Sequence, residues 1–345
     1  MIGRQLVSIQ YLRAVAAGLV VFFHCRDQFP GFRQAIDSNV GTAGVDLFFV
    51  ISGFIMVVIT TERETTPGQF MLRRLVRVAP IYWFFTTLIA AAALAVPFLF
   101  RDTEVSTEHY LKSMLFWPHQ SDHDPDFLAQ MNPLVKVGWT LNFEMFFYAV
   151  FALALFLPRR FRVAGGIVAL SLLVLYGHTV GIGSHVLRFY AEPIVLEFCF
   201  GMLIGWAFTR SRPVPAPWAL LLVAAGVALY FVIPAGTQRV IHYGIGSALI
   251  VAGTIALEPA MKRLRLPLLV GDASYSVYLG HLYPIVALRI LWTHAHLGTT
   301  GLGWALLFLA VGFPAGIACG VLAYTFVERP MLEFCHALLR RPRVA

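Results

Sequence analysis

Arg13 and His24 place an arginine and an imidazole in and beside one long apolar run, Ile9 to Phe23, that otherwise reads as a membrane span. They stand eleven residues apart, so on a helix they differ by only about 20° around the axis and by roughly 16 Å along it. Ionisable groups in a bilayer cost at least a few kcal/mol and by default mark an internal polar pathway. A guanidinium holds an anion, while an imidazole moves a proton near neutral pH. The pair therefore predicts a passage through a helix bundle, anion-binding toward one end and ready for proton transfer at the other.

Asp46 and Glu144 fall at comparable depth to His24 once neighbouring spans are laid antiparallel. A carboxylate beside a histidine fixes its tautomer and raises its basicity, as a general base requires. The alternative is that Asp46 or Glu144 neutralises Arg13 and clamps helices together. Arg73, Arg74 and Arg77 immediately precede the third span, with Arg74 and Arg77 on one helical face. Guanidinium forks match phosphate oxygens, although anchoring at the membrane surface calls for such a cluster too. Ser274, Tyr278 and His281 make a polar stripe on the ninth span, lining the pathway or simply bonding neighbouring helices. Glu328 and Arg329 read as a capping salt bridge closing the last span. Cys25, next to His24, is either a nucleophile or an inert small residue.

The longest connection runs from about Phe100 to Val137 and holds Trp117, His119, Asp122, His123, Asp124 and Asp126. Their spacing matches no standard metal site, so no metal is expected. A solvated loop whose aromatic and polar mixture suits contact with a sugar is the reading, with Trp117 as the contact.

The elements that must position these groups are set by composition. Of 345 residues, 59% are hydrophobic and only 13% charged, with a mean hydropathy of +0.74. That excludes an ordinary soluble domain. The fold expected is an all-α integral membrane protein, a single bundle of about ten transmembrane helices over residues 1–345. These are placed near 7–25, 41–61, 78–99, 138–157, 164–181, 189–208, 217–234, 241–258, 272–292 and 302–327. Most of the 26 Lys and Arg then fall on one side, with Arg26, Arg33, Arg101, Lys112, Lys136, Arg188 and Arg239 on the other. The asymmetry puts both termini in the cytoplasm and accounts for the +8 net charge without nucleic acid. The first run lacks a small-residue cleavage site and reads as a span, not a signal peptide. Of the four cysteines only Cys25 nears the outer face, so no structural disulfide is expected.

Taken together these pieces resemble the acyltransferase-3 family of integral membrane proteins. The resemblance rests on Arg13-x10-His24, on Gly44 to Phe54 (GVDLFFVISGF), and on Arg73-Arg74-x-x-Arg77 followed by Pro80 and Tyr82. It continues in Trp139-Thr140-Leu141-x-x-Glu144 with Tyr148, in Ser274-Tyr275-Ser276-x-Tyr278-Leu279-x-His281, and in Glu328-Arg329-Pro330. They occur in the family's order across nearly the whole chain. Ile9 to Arg13 and Gly138 to Tyr148 are most similar to its bacterial exopolysaccharide O-acetyltransferases, with Thr140 where many members have Ser. The soluble hydrolase-like domain of some members is not expected here.

The resemblance implies transfer of an acyl group, usually acetyl from acetyl-CoA, to a carbohydrate hydroxyl at the bacterial cytoplasmic (inner) membrane. It implies acyl-CoA as a co-substrate, with no tightly bound cofactor. A glycan or lipid-linked glycan is the acceptor, the lipid bilayer and polysaccharide assembly machinery being the other partners. In that scheme Arg13, Arg74 and Arg77 hold the donor's phosphate end and His24, oriented by Asp46 or Glu144, deprotonates the acceptor. Thr140 or Tyr278 supplies an oxyanion donor, and an acyl-enzyme on His24 or Cys25 is an unforced variant. The chief competing expectation is a transporter or flippase of a polysaccharide or lipid-linked oligosaccharide, which also needs intramembrane charge.

Overall fold

The computed structural model describes residues 6–29, 39–97, 105–120, 131–180, 183–210, 214–234 and 236–340, and they contain helices and connections but no strand. In chain order the helices are α1 (Val7–Asp27), α2 (Ala43–Glu62), α3 (Pro67–Ala95), α4 (Thr107–Met114) and α5 (Trp139–Ala154). Next come α6 (Arg159–Thr179), α7 (His185–Tyr190), α8 (Leu196–Phe208), α9 (Ala216–Val232) and α10 (Ile245–Ala256). The last are α11 (Arg265–Asp272), α12 (Ser274–Gly280), α13 (Leu282–His294), α14 (Leu302–Ala323) and α15 (Arg329–Arg340). Six continuous helical stretches are long and apolar enough to cross a membrane: Val7–Asp27, Val40–Glu62, Pro67–Ala95, Lys136–Ala154, Arg159–Thr179 and Leu302–Leu339. Three shorter apolar ones, Pro193–Phe208, Ala216–Val232 and Val240–Ala256, add to them.

Three expected elements differ. Helix α3 begins at Pro67, so Arg73, Arg74 and Arg77 lie inside it and do not precede it. Thr66 caps its first turn, accepting from the Gln69 N–H at 3.3 Å, and Pro67 occupies the first helical position. The ninth span is broken into α11, α12 and α13 at Ala273 and His281. The last helix does not stop at 327: a π-helical turn, Tyr324–Glu328, joins α14 directly to α15.

Helix α1 is the hub, packed against α2, α10, α11, α12, α13 and α14. Its N-terminus is held from outside: the Glu258 carboxylate accepts the N–H groups of Val7 at 2.9 Å and Ser8 at 2.7 Å. Those amides have no partner within the helix, and an anion there also complements the helix dipole. In lipid, helices associate by close packing, since the tails are as apolar as leucine. The α2–α8 crossing shows it. A Cβ on Gly53 would lie 2.1 Å from the Phe198 carbonyl oxygen, and one on Gly201 would lie 2.0 Å from that of Val50. Only glycine fits at either place.

An aromatic stack then locks α5 into the same body. Phe49 stacks on Phe198 at 4.5 Å, Phe147 on Phe198 at 4.3 Å, and Phe143 on Phe189 at 4.2 Å between ring centroids. Such pairs contribute about 0.5–1.5 kcal/mol each beyond area burial. They fix the rotation of α5, so that its polar residues point where α2 and α12 can meet them.

Candidate functional site

Helix α1 carries the two residues on which the sequence argument began, and it presents them to different surroundings. Near one end His24 is a partly buried residue whose side chain makes no hydrogen bond among the described residues. Its close neighbour is the ring of His281, 5.0 Å away between centroids and tilted by 41°. Near the other end Arg13 lines a cavity of about 300 Å³ together with Arg77, Asp272, Tyr324, Arg329, Leu332, Glu333 and His336. Two of its three arginines are engaged, Arg77 with Glu328 and Arg329 with Glu333. Arg13 has no ion pair or hydrogen bond from its side chain among the described residues. A cavity wall with a guanidinium so placed is suited to an anionic group.

His281 sits in the gap between α12 and α13 and is fully buried. Its Nδ1 lies 2.9 Å from the Val277 carbonyl, which can only accept, so Nδ1 carries the proton and Nε2 is bare. Nε2 has no hydrogen-bond partner among the described residues. Gly320 of α14 lets this stretch sit close, since a Cβ there would fall 2.2 Å from Val277 Cα.

The carboxylates stand elsewhere. Asp46, wholly buried, takes a two-pronged bond from Arg239, Nε to Oδ1 at 3.1 Å and Nη2 to Oδ2 at 2.6 Å. Arg239 also donates to the Thr42 carbonyl at 2.9 Å. Glu197 of α8, equally buried, lies close enough to act on both electrostatically and to share a proton with Asp46, while no donor among the described residues reaches its oxygens. Asp46 thus joins α2 to the start of the π-helical turn Val240–Gly244, and it does not bond His24. Glu144 accepts from Ser52 Oγ at 2.9 Å and from the Tyr148 hydroxyl one turn along α5. It too makes no bond to His24. The expected layer of His24, Asp46 and Glu144 is therefore resolved into separate groups, because each carboxylate finds a donor nearer than the imidazole.

The hydroxyls are likewise committed. Tyr278 donates to the Val137 carbonyl at 2.8 Å and lies 2.7 Å from Thr140 Oγ1. Thr140 gives its own proton to Tyr278 or to Val137, 3.2 Å away. Both protons tie α5 and α12 to the Lys136–Gly138 turn, which leaves neither for an oxyanion. Trp117 is half exposed in the turn after α4. Cys25 is buried among Val21, Ile285 and Phe308. Asp122, His123, Asp124 and Asp126 lie outside the described residues.

The arginines of α3 divide between two hollows. Arg77 faces the Arg13 cavity, whereas Arg74 lines a second one of about 250 Å³ with Arg63, Arg73, Thr60, Thr65 and Phe70. The Arg74 guanidinium lies 6.0 Å from the ring centroids of both Phe70 and Tyr148. Glu328 does not cap α14. It is 1% exposed, paired with Arg77 and accepting from Ser276 Oγ at 2.6 Å. Glu197, Arg239, Asp272, Tyr324 and His336 join these groups without having been expected from the sequence. Arg239 stands between two expected spans, where an arginine is a signal only once its partner is known, whereas Glu197 lies inside the expected span 189–208 and was legible there as a buried charge.

Residues 6–324 match the family described as Acyltransferase domain. The chain is 39% identical over 303 residues to the exopolysaccharide production protein ExoZ of Rhizobium meliloti (strain 1021), covering 86% of this chain and 90% of that protein. It is 26% identical over 324 residues to the O-acetyltransferase OatA of Staphylococcus aureus (strain NCTC 8325 / PS 47), covering 82% of this chain and 51% of that protein. No solved structure matches the chain.

Proposed function

This chain belongs to the acyltransferase-3 family, and on that premise we propose that it is a multi-pass membrane O-acyltransferase that moves an acetyl group from acetyl-CoA to a hydroxyl of an exopolysaccharide. The observation that carries the reading is the division of labour along α1: an imidazole not engaged by any carboxylate near one end, an anion-suited cavity near the other. The two are separated by roughly 16 Å of helix. Such a span suits a donor with a phosphate-rich head and a long thin arm ending in a thioester.

In the reaction His24 takes the proton of the acceptor hydroxyl as its oxygen attacks the thioester carbonyl carbon. The carbon–sulfur bond then breaks, and the leaving thiolate receives that proton from His24, so ester and free thiol are formed with no net proton change. Arg13 and Arg77 engage the donor's phosphates in their shared cavity, and Arg74 holds a further anionic part in its own. The six long helices, the three shorter ones and the broken α11–α13 run support about ten crossings, with both termini and the Arg13 cavity on the cytoplasmic side of the inner membrane. Polysaccharide assembly machinery is the proposed partner at the membrane.

The test compares O-acyl esters on exported polymer from cells with the wild type, the His24→Ala variant and no copy. Esters absent from both the variant and the deletion, with polymer still exported, support the reading. Fully acetylated polymer from the variant overturns it. Export failing while the residual polymer stays acetylated supports a transporter instead. Purified protein raised in melting temperature by acetyl-CoA, and not by acetyl phosphate, supports the thioester as donor.

A further inference from the structure

Among the buried polar groups that the proposed chemistry leaves without a task is the bare Nε2 of His281. An unpaired polar atom in a dry interior costs about 1–3 kcal/mol, so its retention calls for a donor. The surroundings offer one. His24 is the neighbouring ring, at 5.0 Å between centroids. No hydrogen bond joins the two rings in this structure, but nitrogens turned to face one another at that ring separation would fall in hydrogen-bonding range, about 3 Å. The second torsion of histidine is broad enough to bring them into line. No carboxylate competes for the place, because Asp46 and Glu144 are bound to Arg239 and to Ser52 and Tyr148.

Resting on the acyltransferase reading above, we propose that His281 is the positioning residue of His24, through a proton-ordered chain that starts at a backbone carbonyl. The Val277 carbonyl accepts from His281 Nδ1–H, and this leaves His281 Nε2 as an acceptor. That nitrogen takes the single N–H of neutral His24, which turns the lone pair of His24's other nitrogen toward the acceptor hydroxyl. When His24 receives the substrate proton, the imidazolium stays bonded to His281 until the thiolate takes the proton back. His281 reaches back one turn to the Val277 carbonyl while its ring lies beside that of His24 on α1. A neutral histidine thus does the orienting often done by a carboxylate, without a second buried charge.

The test uses His281→Asn and His281→Gln in the full-length protein. Asparagine places its amide nitrogen where Nδ1 stood and keeps the Val277 bond, but it cannot reach His24. Glutamine carries an acceptor at the reach of Nε2. The Asn variant should lose about 100-fold in kcat with the KM for acetyl-CoA unchanged, the low end of what a positioned base contributes. The Gln variant should recover most of that loss. Wild-type kcat in His281→Asn with a dead His24→Ala overturns the orienting role while the acyltransferase reading stands. An active His24→Ala overturns both. Equal losses in the Asn and Gln variants, shared between kcat and KM, reduce His281 to packing and overturn the proposal.

Discussion

Replacing Asp46 by Asn separates a scaffold from a catalyst, and the structure sets the size of the effect. Asp46 is wholly buried and holds Arg239 through two bonds, of 3.1 and 2.6 Å, with the arginine side chain 28% exposed. Removing one partner of a buried pair costs about 3–5 kcal/mol, mostly for the charge left behind. Asparagine keeps one oxygen for the guanidinium, and Glu197 acts on the same charge, so the loss belongs near the bottom of that range, about 3 kcal/mol. Cys25 and Cys199 are buried, so once the partly exposed Cys319 and Cys335 are replaced by Ser, a thiol-reactive fluorogenic dye reads the unfolding of detergent-solubilised protein. The variant should melt lower, and its surviving folded fraction should turn over within about tenfold of wild type. A carboxylate that orients a catalytic histidine is worth about 10⁴-fold on loss of its charge. Unchanged melting with turnover reduced to that extent would refute the assignment and return Asp46 to the base.

Two further outcomes follow from pairings seen nowhere in the linear sequence. Arg77→Ala strands Glu328 at 1% exposure, so folded yield should fall sharply; adding Glu328→Gln should restore yield but not the KM for acetyl-CoA. A double variant with wild-type KM would remove Arg77 from the donor site. Thr140→Val should leave turnover within about tenfold of wild type, since loss of a true oxyanion donor costs about 10²–10³ in kcat. A loss of that larger size would show that the Thr140 proton is released from Tyr278 during the reaction.

Much of the fold was legible because it depends on local pattern. The shared face of Arg13 and His24 follows from helical period alone, as does the i, i+4 stripe of Thr140, Glu144 and Tyr148. The start of α3 was legible too, in Thr66–Pro67, but the arginines behind it depress hydropathy and moved the expected boundary to 78. What stayed hidden is partner choice. Asp46 lies 193 residues from Arg239 and Arg77 lies 251 from Glu328, and nothing in either neighbourhood names the other. Depth along each expected span sets His24, Asp46 and Glu144 at one level. It could not tell which way around each helix a side chain points relative to helices not yet placed. The same limit joined Arg74 to Arg77, which the structure assigns to two hollows.

The π-helical turn at Tyr324–Glu328 carries a consequence for how this chain tolerates change in length. The run Leu302–Leu339 has 38 residues, about 57 Å if straight, against a hydrocarbon core of about 30 Å. Its far end therefore emerges from the bilayer still helical. A π-turn holds one residue more than an α-turn, and each residue accounts for about 100° of rotation. Deleting any one residue between 324 and 328 would reset everything beyond it by more than a quarter turn. Leu332, Glu333 and His336 would leave the cavity wall for another azimuth, although no contact residue had been altered. Insertions and deletions in this short stretch should thus be purged during evolution as strictly as substitutions of the cavity residues themselves. The count of residues there acts as an inherited dimension of the protein, independent of their identity.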